Sequence, residues 1–394
     1  MIDRQSFGIL PAKPHTVART PDGRLLHEEM HTRGGFDGPF TYLYHLHPVT
    51  AAREVRVVES GWPQPVSIEE ALVPLKRRLY DSNRIPAGGS LARSRTPILF
   101  NSQLTIWVAR PNQSDEVYVA DGDGDELWFV HEGRARIESV CGWLDVGEGD
   151  YVFIPRSLIH RWHLVSPSLR LLGIQAKEGM LIPNNFRNPV GQLRMDAPYT
   201  HRDFVRPTAP IAQYDKPIEG PNEVLVVKGG RTSLHVMERS PMDVVGWDGF
   251  VYPFAFNIHK YQPKTGMVHL PPTIHTTFVG SGAAICSFVP RLVDWGEGAI
   301  PCPYPHSSVD CDEVILYLDG NFTSRRGVGP GCISLHPAGV VHGPHPGAYE
   351  ASIGTTRTEE LAVMIDTFQP LLPTAQAANI ENPEYHDSWK TSGA

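Results

Sequence analysis

Two stretches of this chain repeat one spacing of glutamate, glycine, proline and histidine, and that repetition constrains the fold more than any other feature. In HSSVDCDEVILYLDG, Glu313 is followed by Gly320, and GCISLHPAGVVH then supplies Gly331, Pro337, Gly339 and His342. Upstream, DELWFVHEG repeats the interval as Glu126 and Gly133, and GDYVFIPRSLIH repeats the second set as Gly149, Pro155 and His160. Internal similarity of this kind is the mark of two copies of one supersecondary unit. Each copy reads as strand, turn, strand. Val314, Ile315, Leu316, Tyr317 and Leu318 form a β-prone run closed by Asp319-Gly320. The expectation is therefore an all-β chain with a few helices, built from two related barrel or jelly-roll halves.

If the second hairpin returns past the first, two imidazoles and one carboxylate meet: His306, Glu313 and His342. Neutral imidazole nitrogens and a carboxylate on one face of a divalent ion leave positions open for substrate and dioxygen, as in the facial triads of non-heme iron oxygenases. The alternative is that these are hydrogen-bonded polar residues at strand ends. A thiolate from Cys311 would also be a ligand type, although a buried cysteine that packs as a small apolar group is the simpler reading. The N-terminal copy has Val119 and Asp121 where His306 and Ser308 fall, so it reads as a degenerate half in which His160 is structural.

The chain has 394 residues, with 36 glycines and 36 prolines spread along it, which suits many short strands joined by turns. A net charge of -8 gives no basic footprint for nucleic acid. No apolar run approaches the roughly 18 residues of a membrane span. The N-terminus MIDRQSFGILPAKPH has no apolar core behind its charges, so no secretory signal and a cytoplasmic location are expected. Five cysteines in no close pairing argue against a disulfide framework. DGDGDE at 121–126 resembles the start of a calcium loop, but Glu126 stands where the turn needs glycine, and a solvated loop is the simpler reading. SIEEALVPLKRRLY at 67–80 has a cap and apolar spacing for a helix. The Pro-rich stretch MDAPYTHRDFVRPTAPIAQYDKPIEGPNE places a boundary near residue 215, giving halves 1–215 and 216–394. LAVMIDTF reads as a late core strand, and the tail from Ala375 as extended and surface-bound.

The paired segments resemble the two signature motifs of the cupin superfamily, with Ser308 where that pattern has a second histidine, so the resemblance implies a bicupin with a three-ligand site. More specifically, SPMDVVGWDGFVYPFAFN, MVHLPPTIHTTF, PYPHSSVDCDE and SLHPAGVVHGPHPG resemble the homogentisate 1,2-dioxygenase family. That resemblance implies Fe(II) on His306, Glu313 and His342, His269 as the catalytic histidine, and substrate against His336, His342 and the position of Phe322. It further implies a hydroquinone acid and dioxygen as substrates, opening of homogentisate to maleylacetoacetate in tyrosine and phenylalanine catabolism, and a homo-oligomer of trimers or hexamers. Manganese would suit the same donors.

Phe322 is a departure, because the family has a tyrosine there whose hydroxyl meets the substrate. Tyr304, Tyr317 or Tyr349 would have to compensate, and gentisate or another para-dihydroxy aromatic acid becomes a competing substrate. His275 and His345 are pocket histidines or ordinary buried and loop histidines. A metal-binding barrel without turnover is the competing class, and the cluster of histidines beside the ligand segments weighs against it.

Overall fold

Gly133 and Gly320 occupy the same conformation, with φ of 93° and 92°, as do Gly149 and Gly331, both at 85°. A side chain cannot replace either of the first pair. A Cβ at Gly320 would lie 1.9 Å from the Glu359 carbonyl oxygen, and one at Gly133 would lie 2.6 Å from that of Ser168. These left-handed turns end the two glutamate-bearing strands, Asp125–Glu132 and Asp312–Asp319. The repeated motif is thus a repeated backbone.

The computed structural model describes residues 2–58, 62–67, 74–280, 282–322 and 327–390. It is predominantly β, and the α-helices described, Leu91–Ser94, Ala348–Ser352 and Ala375–Ala378, have four or five residues. Two large sheets share one central order. In the first, Asp125–Glu132 lies between Asp150–Ile154 and Arg170–Ala176; in the second, Asp312–Asp319 lies between Cys332–His336 and Leu361–Thr367. Register repeats as well. Glu126 faces Ile154 and Gln175, while Glu313 faces His336 and Asp366. Both central strands are buried on both faces, which explains their unbroken apolar runs.

The halves exchange edge strands. Arg78–Asp81 pairs with Cys332–His336 in the second sheet, and Leu372–Pro373 pairs with Arg95–Phe100 in the first. Strand pairing also crosses residue 215: Glu223–Lys228 runs parallel to Tyr118–Asp121, and Phe254–Asn257 adds to Asp150–Ile154. One apolar core runs through both sheets, including Trp107, Trp128, Phe254, Val314 and Ile365. Across it, the rings of Tyr151 and Phe278 meet at 5.6 Å, and the Tyr151 hydroxyl bonds Ser287 Oγ at 2.9 Å.

Three expectations are corrected. Of the helix expected at 67–80, residues 68–73 lie outside the described residues, 74–77 are irregular, and Arg78–Asp81 is a strand because long-range pairing overrides local propensity. The 121–126 loop is not solvated. Asp121, Asp125 and Glu126 are buried, each with separate partners: Gln175 for Asp121, Arg33 and two backbone N–H groups for Asp125, and Arg95 for Glu126. The tail after Ala375 is not a surface strand, since it holds a short helix and the 3-10 turn Tyr385–Trp389, in which Tyr385 is 2% exposed. LAVMIDTF does form a core strand, Leu361–Thr367.

Candidate metal centre and cavity

Glu313 enters as the second residue of its strand, and the histidines are brought to it by a two-residue bridge outside any sheet. The His306 N–H donates to the His342 carbonyl and the His342 N–H to the His306 carbonyl, both at 2.8 Å. The loop is pinned by its own polar groups. Asp312 accepts from the N–H of Ala338 and of Leu371, each at 2.7 Å, and Gly339 N–H donates to the Ser308 carbonyl at 2.7 Å. Ser308 Oγ accepts from Cys311 N–H at 3.0 Å, so at the position of the missing second histidine a hydroxyl braces the loop. A Cβ at Gly343 would meet Pro305 Cα at 2.7 Å, which requires glycine where the two segments cross.

His306, Glu313 and His342 offer ligand atoms that all lie within 4.8 Å of one another, and among the described residues they are the group that could hold a metal ion. Each imidazole is oriented by the same device. Nδ1 of His342 donates to the Val340 carbonyl at 2.9 Å and Nδ1 of His306 to the Tyr304 carbonyl at 3.2 Å, each two residues back. That bond selects the tautomer whose Nε2 carries the lone pair. Burial alone would push the Glu313 carboxyl up, but its hydrogen bond with His336 holds it well below its ordinary value, so it is ionised. Across the strand, burial and the charge of Glu313 push Asp366 up to about 7. Two fixed imidazole lone pairs and one ionised carboxylate form a donor set suited to a divalent transition metal.

His336 has a different place from the substrate contact expected of it. It is fully buried and lies outside the cavity wall, with Nδ1 2.6 Å from Glu313 Oε1, Nε2 3.2 Å from the Tyr385 hydroxyl, and its ring stacked on His342 at 4.9 Å. His345 is likewise buried, bonded to Ser388 Oγ at 2.7 Å and stacked on Trp389 at 3.8 Å. The Tyr385–Trp389 turn therefore straps the metal loop from behind. Sequence reading missed it because the tail is far from the loop in the chain.

A cavity of about 380 Å³ opens on the triad and is walled by His306, Glu313, His269, Tyr304, His275 and Phe322 among others, a size that fits a small aromatic ligand. His269 bonds Asp294 Oδ2 through Nδ1 at 2.7 Å and meets the Tyr304 ring at 4.8 Å. Phe322 lies edge-on to Tyr317 at 4.8 Å, and the Tyr317 hydroxyl is bonded to Ser334 Oγ at 3.1 Å. Tyr304 and Tyr317 line the cavity, whereas Tyr349 lies outside its wall.

In the first half the same constellation is closed. Glu126 is ion-paired to the Arg95 guanidinium, accepts from Trp128 Nε1 at 3.1 Å, and Arg95 lies between the rings of Trp62 and Trp128 at 4.0 and 4.9 Å. His160 keeps the two-residues-back bond, from Nδ1 to the Leu158 carbonyl at 2.9 Å, and is buried. The carboxylate equivalent to Glu313 has a fixed cation of its own.

The fold is predominantly β, and His306, Glu313 and His342 together offer a donor set for a divalent metal. Residues 92–258 match the family model described as homogentisate 1,2-dioxygenase N-terminal. The protein of Saccharolobus solfataricus named "Putative dioxygenase" is 35% identical over 390 residues, covering 98% of both chains. A homogentisate 1,2-dioxygenase of Pseudomonas entomophila is 24% identical over 98% of this chain and 92% of its own. A cupin 2 conserved barrel domain protein from Leptotrichia buccalis aligns over 80% of this chain and all of its own, at 11% identity and a TM-score of 0.32. The chain belongs to the homogentisate 1,2-dioxygenase family, a family of dioxygenases.

Proposed function

We propose that the protein is an Fe(II)-dependent ring-cleaving dioxygenase that opens homogentisate to maleylacetoacetate in tyrosine and phenylalanine breakdown. The observation that carries this reading is the meeting of His306, Glu313 and His342, the first two of which line a largely apolar cavity. Iron held by those three side chains would supply open positions for a ring oxygen and dioxygen and a path for electrons between them.

The remaining work falls to protein groups. The Glu313 carboxylate is kept ionised by its hydrogen bond with His336. With Nδ1 committed to Asp294, His269 has Nε2 to accept the proton of a ring hydroxyl. Phe288, Ile315, Phe322 and Met364 line the cavity with apolar surface that packs the ring and excludes water. The bond between the carbon bearing the acetate and its hydroxylated neighbour breaks, and both oxygen atoms remain in the product. The same reading carries a cytoplasmic homo-oligomer, a trimer or hexamer.

Phe322 favours a second reading, in which the reaction is kept and the acid differs, as in gentisate. A substrate panel separates the two. Oxygen uptake with homogentisate at a kcat/KM above that for gentisate is expected, and uptake with gentisate alone overturns the homogentisate assignment. His306→Ala, Glu313→Ala and His342→Ala are each expected to lose bound metal, measured by elemental analysis; full metal content in any of them contradicts the ligand set.

A further inference from the structure

His275 ends the 3-10 turn Pro272–His275, is 6% exposed, and lines the cavity. Its Nδ1 is buried with no hydrogen-bond partner among the described residues. Buried polar atoms in folded proteins are almost always paired, so an unpaired one in a cavity wall calls for a ligand or a tautomer that tolerates it. Burial, with the positive charge of Arg291 beside it, pushes the imidazole down to about 3, so it is neutral and has one N–H to place. A buried bare lone pair is better tolerated than a buried unpaired N–H. The proton therefore belongs on Nε2.

The surroundings say what that N–H would meet. The His275 ring leans on Phe288 at 4.8 Å and 47°, and Phe288 packs against the cluster that contains Ile315, Tyr317 and Phe322. The Arg291 guanidinium lies 5.5 Å from the Phe288 ring centroid and is held by Glu360 at 3.1 Å and by the Val289 carbonyl at 3.2 Å. One cavity wall thus carries a neutral donor, His275, and a cation, Arg291, braced by Glu360, together with Phe322, which can donate nothing. A reacting ring hydroxyl needs an acceptor for its proton. A carboxylate needs only donors.

We propose that His275 is a specificity-determining contact that donates a hydrogen bond from Nε2 to the carboxylate of the aromatic acid substrate, with Arg291 contributing attraction from behind Phe288. This rests on the ring-cleaving reading and deepens it by naming the part of the substrate that is recognised. The contact replaces one that Phe322 cannot make. It also predicts discrimination against uncharged analogues, because a site built to bond a polar group rejects the molecule that lacks it.

The test compares wild type, His275→Phe and His275→Gln as iron-loaded full-length protein, by oxygen uptake with homogentisate and with methylhydroquinone, which lacks the carboxylate. For His275→Phe a ~10- to 100-fold rise in KM for the acid is expected with little change in kcat, no change in KM for methylhydroquinone, and recovery of most of the loss in His275→Gln, which keeps an N–H donor. Metal content is expected to be equal in all three. An equal loss for both substrates, or no loss for either, overturns the proposal. Anaerobic calorimetry with homogentisate separates this from failure of the reaction. Binding without oxygen uptake that is lost in His275→Phe supports the contact and sinks the ring-cleaving reading, whereas a wild type that neither binds nor consumes the acid overturns both.

Discussion

Glu313 is ionised where burial alone would neutralise it, and the reason is a chain of named bonds: the Tyr385 hydroxyl to His336, and His336 to Glu313. Groups that hold a metal-ligating carboxylate commonly carry a factor of about 10 to 100 in metal affinity. Tyr385→Phe is therefore expected to weaken metal binding by ~10-fold in a chelator competition while leaving the cavity wall intact; unchanged affinity would remove Tyr385 from the support of the site. A second residue-scale prediction concerns His45. Burial would lower it, but hydrogen bonds with Asp243 at 2.6 Å and Glu29 at 3.1 Å hold it up at about 9. A raised folded value means that the stabilisation is complete below the unfolded value near 6.5 and is lost as pH rises through about 9. The melting temperature is expected to fall between pH 7 and 9.5, and less so in Asp243→Asn, which lacks the partner charge. The clustering of His306, Glu313 and His342 was legible because Glu313 and His342 sit at fixed offsets from turn glycines and His306 lies seven positions before Glu313. Tyr385 and Asp294 were not, because their partners, His336 and His269, lie 49 and 25 positions away and no local pattern marks the pairing.

At the scale of elements, the repeat read from the sequence is a repeat of strand order, register and turn conformation, and its departures are equally physical. Where Glu313 faces His336 and Asp366, Glu126 faces Ile154 and Gln175 and pairs with Arg95 instead. Removing one partner of a buried ion pair costs about 3–5 kcal/mol, because the other charge is left without compensation. Arg95→Met is expected to destabilise by that order in denaturant melts, with most of the loss recovered in the double variant Arg95→Met with Glu126→Gln. If the single variant is neutral, Arg95 is not the cation that balances Glu126. The expected helix at 67–80 failed over its described end because Arg78–Asp81 adds to the edge beside Cys332–His336, a pairing between strands some 250 positions apart in sequence that cap and spacing signals cannot register.

For the whole molecule, the exchanged edge strands and the shared aromatic core tie the sheet that carries Glu313 to the sheet that carries Glu126. The proposed function predicts one metal per chain, since Glu126 already has its cation in Arg95. Two metals per chain by elemental analysis would contradict that division of roles. Ring opening of a hydroquinone acid at the triad and its cavity is tested by loading the protein with Fe(II) under anaerobic conditions, adding homogentisate and oxygen, and following oxygen consumption together with the ultraviolet absorbance of maleylacetoacetate. Uptake of one dioxygen per product formed is expected. Bound iron and bound homogentisate with no uptake would contradict it.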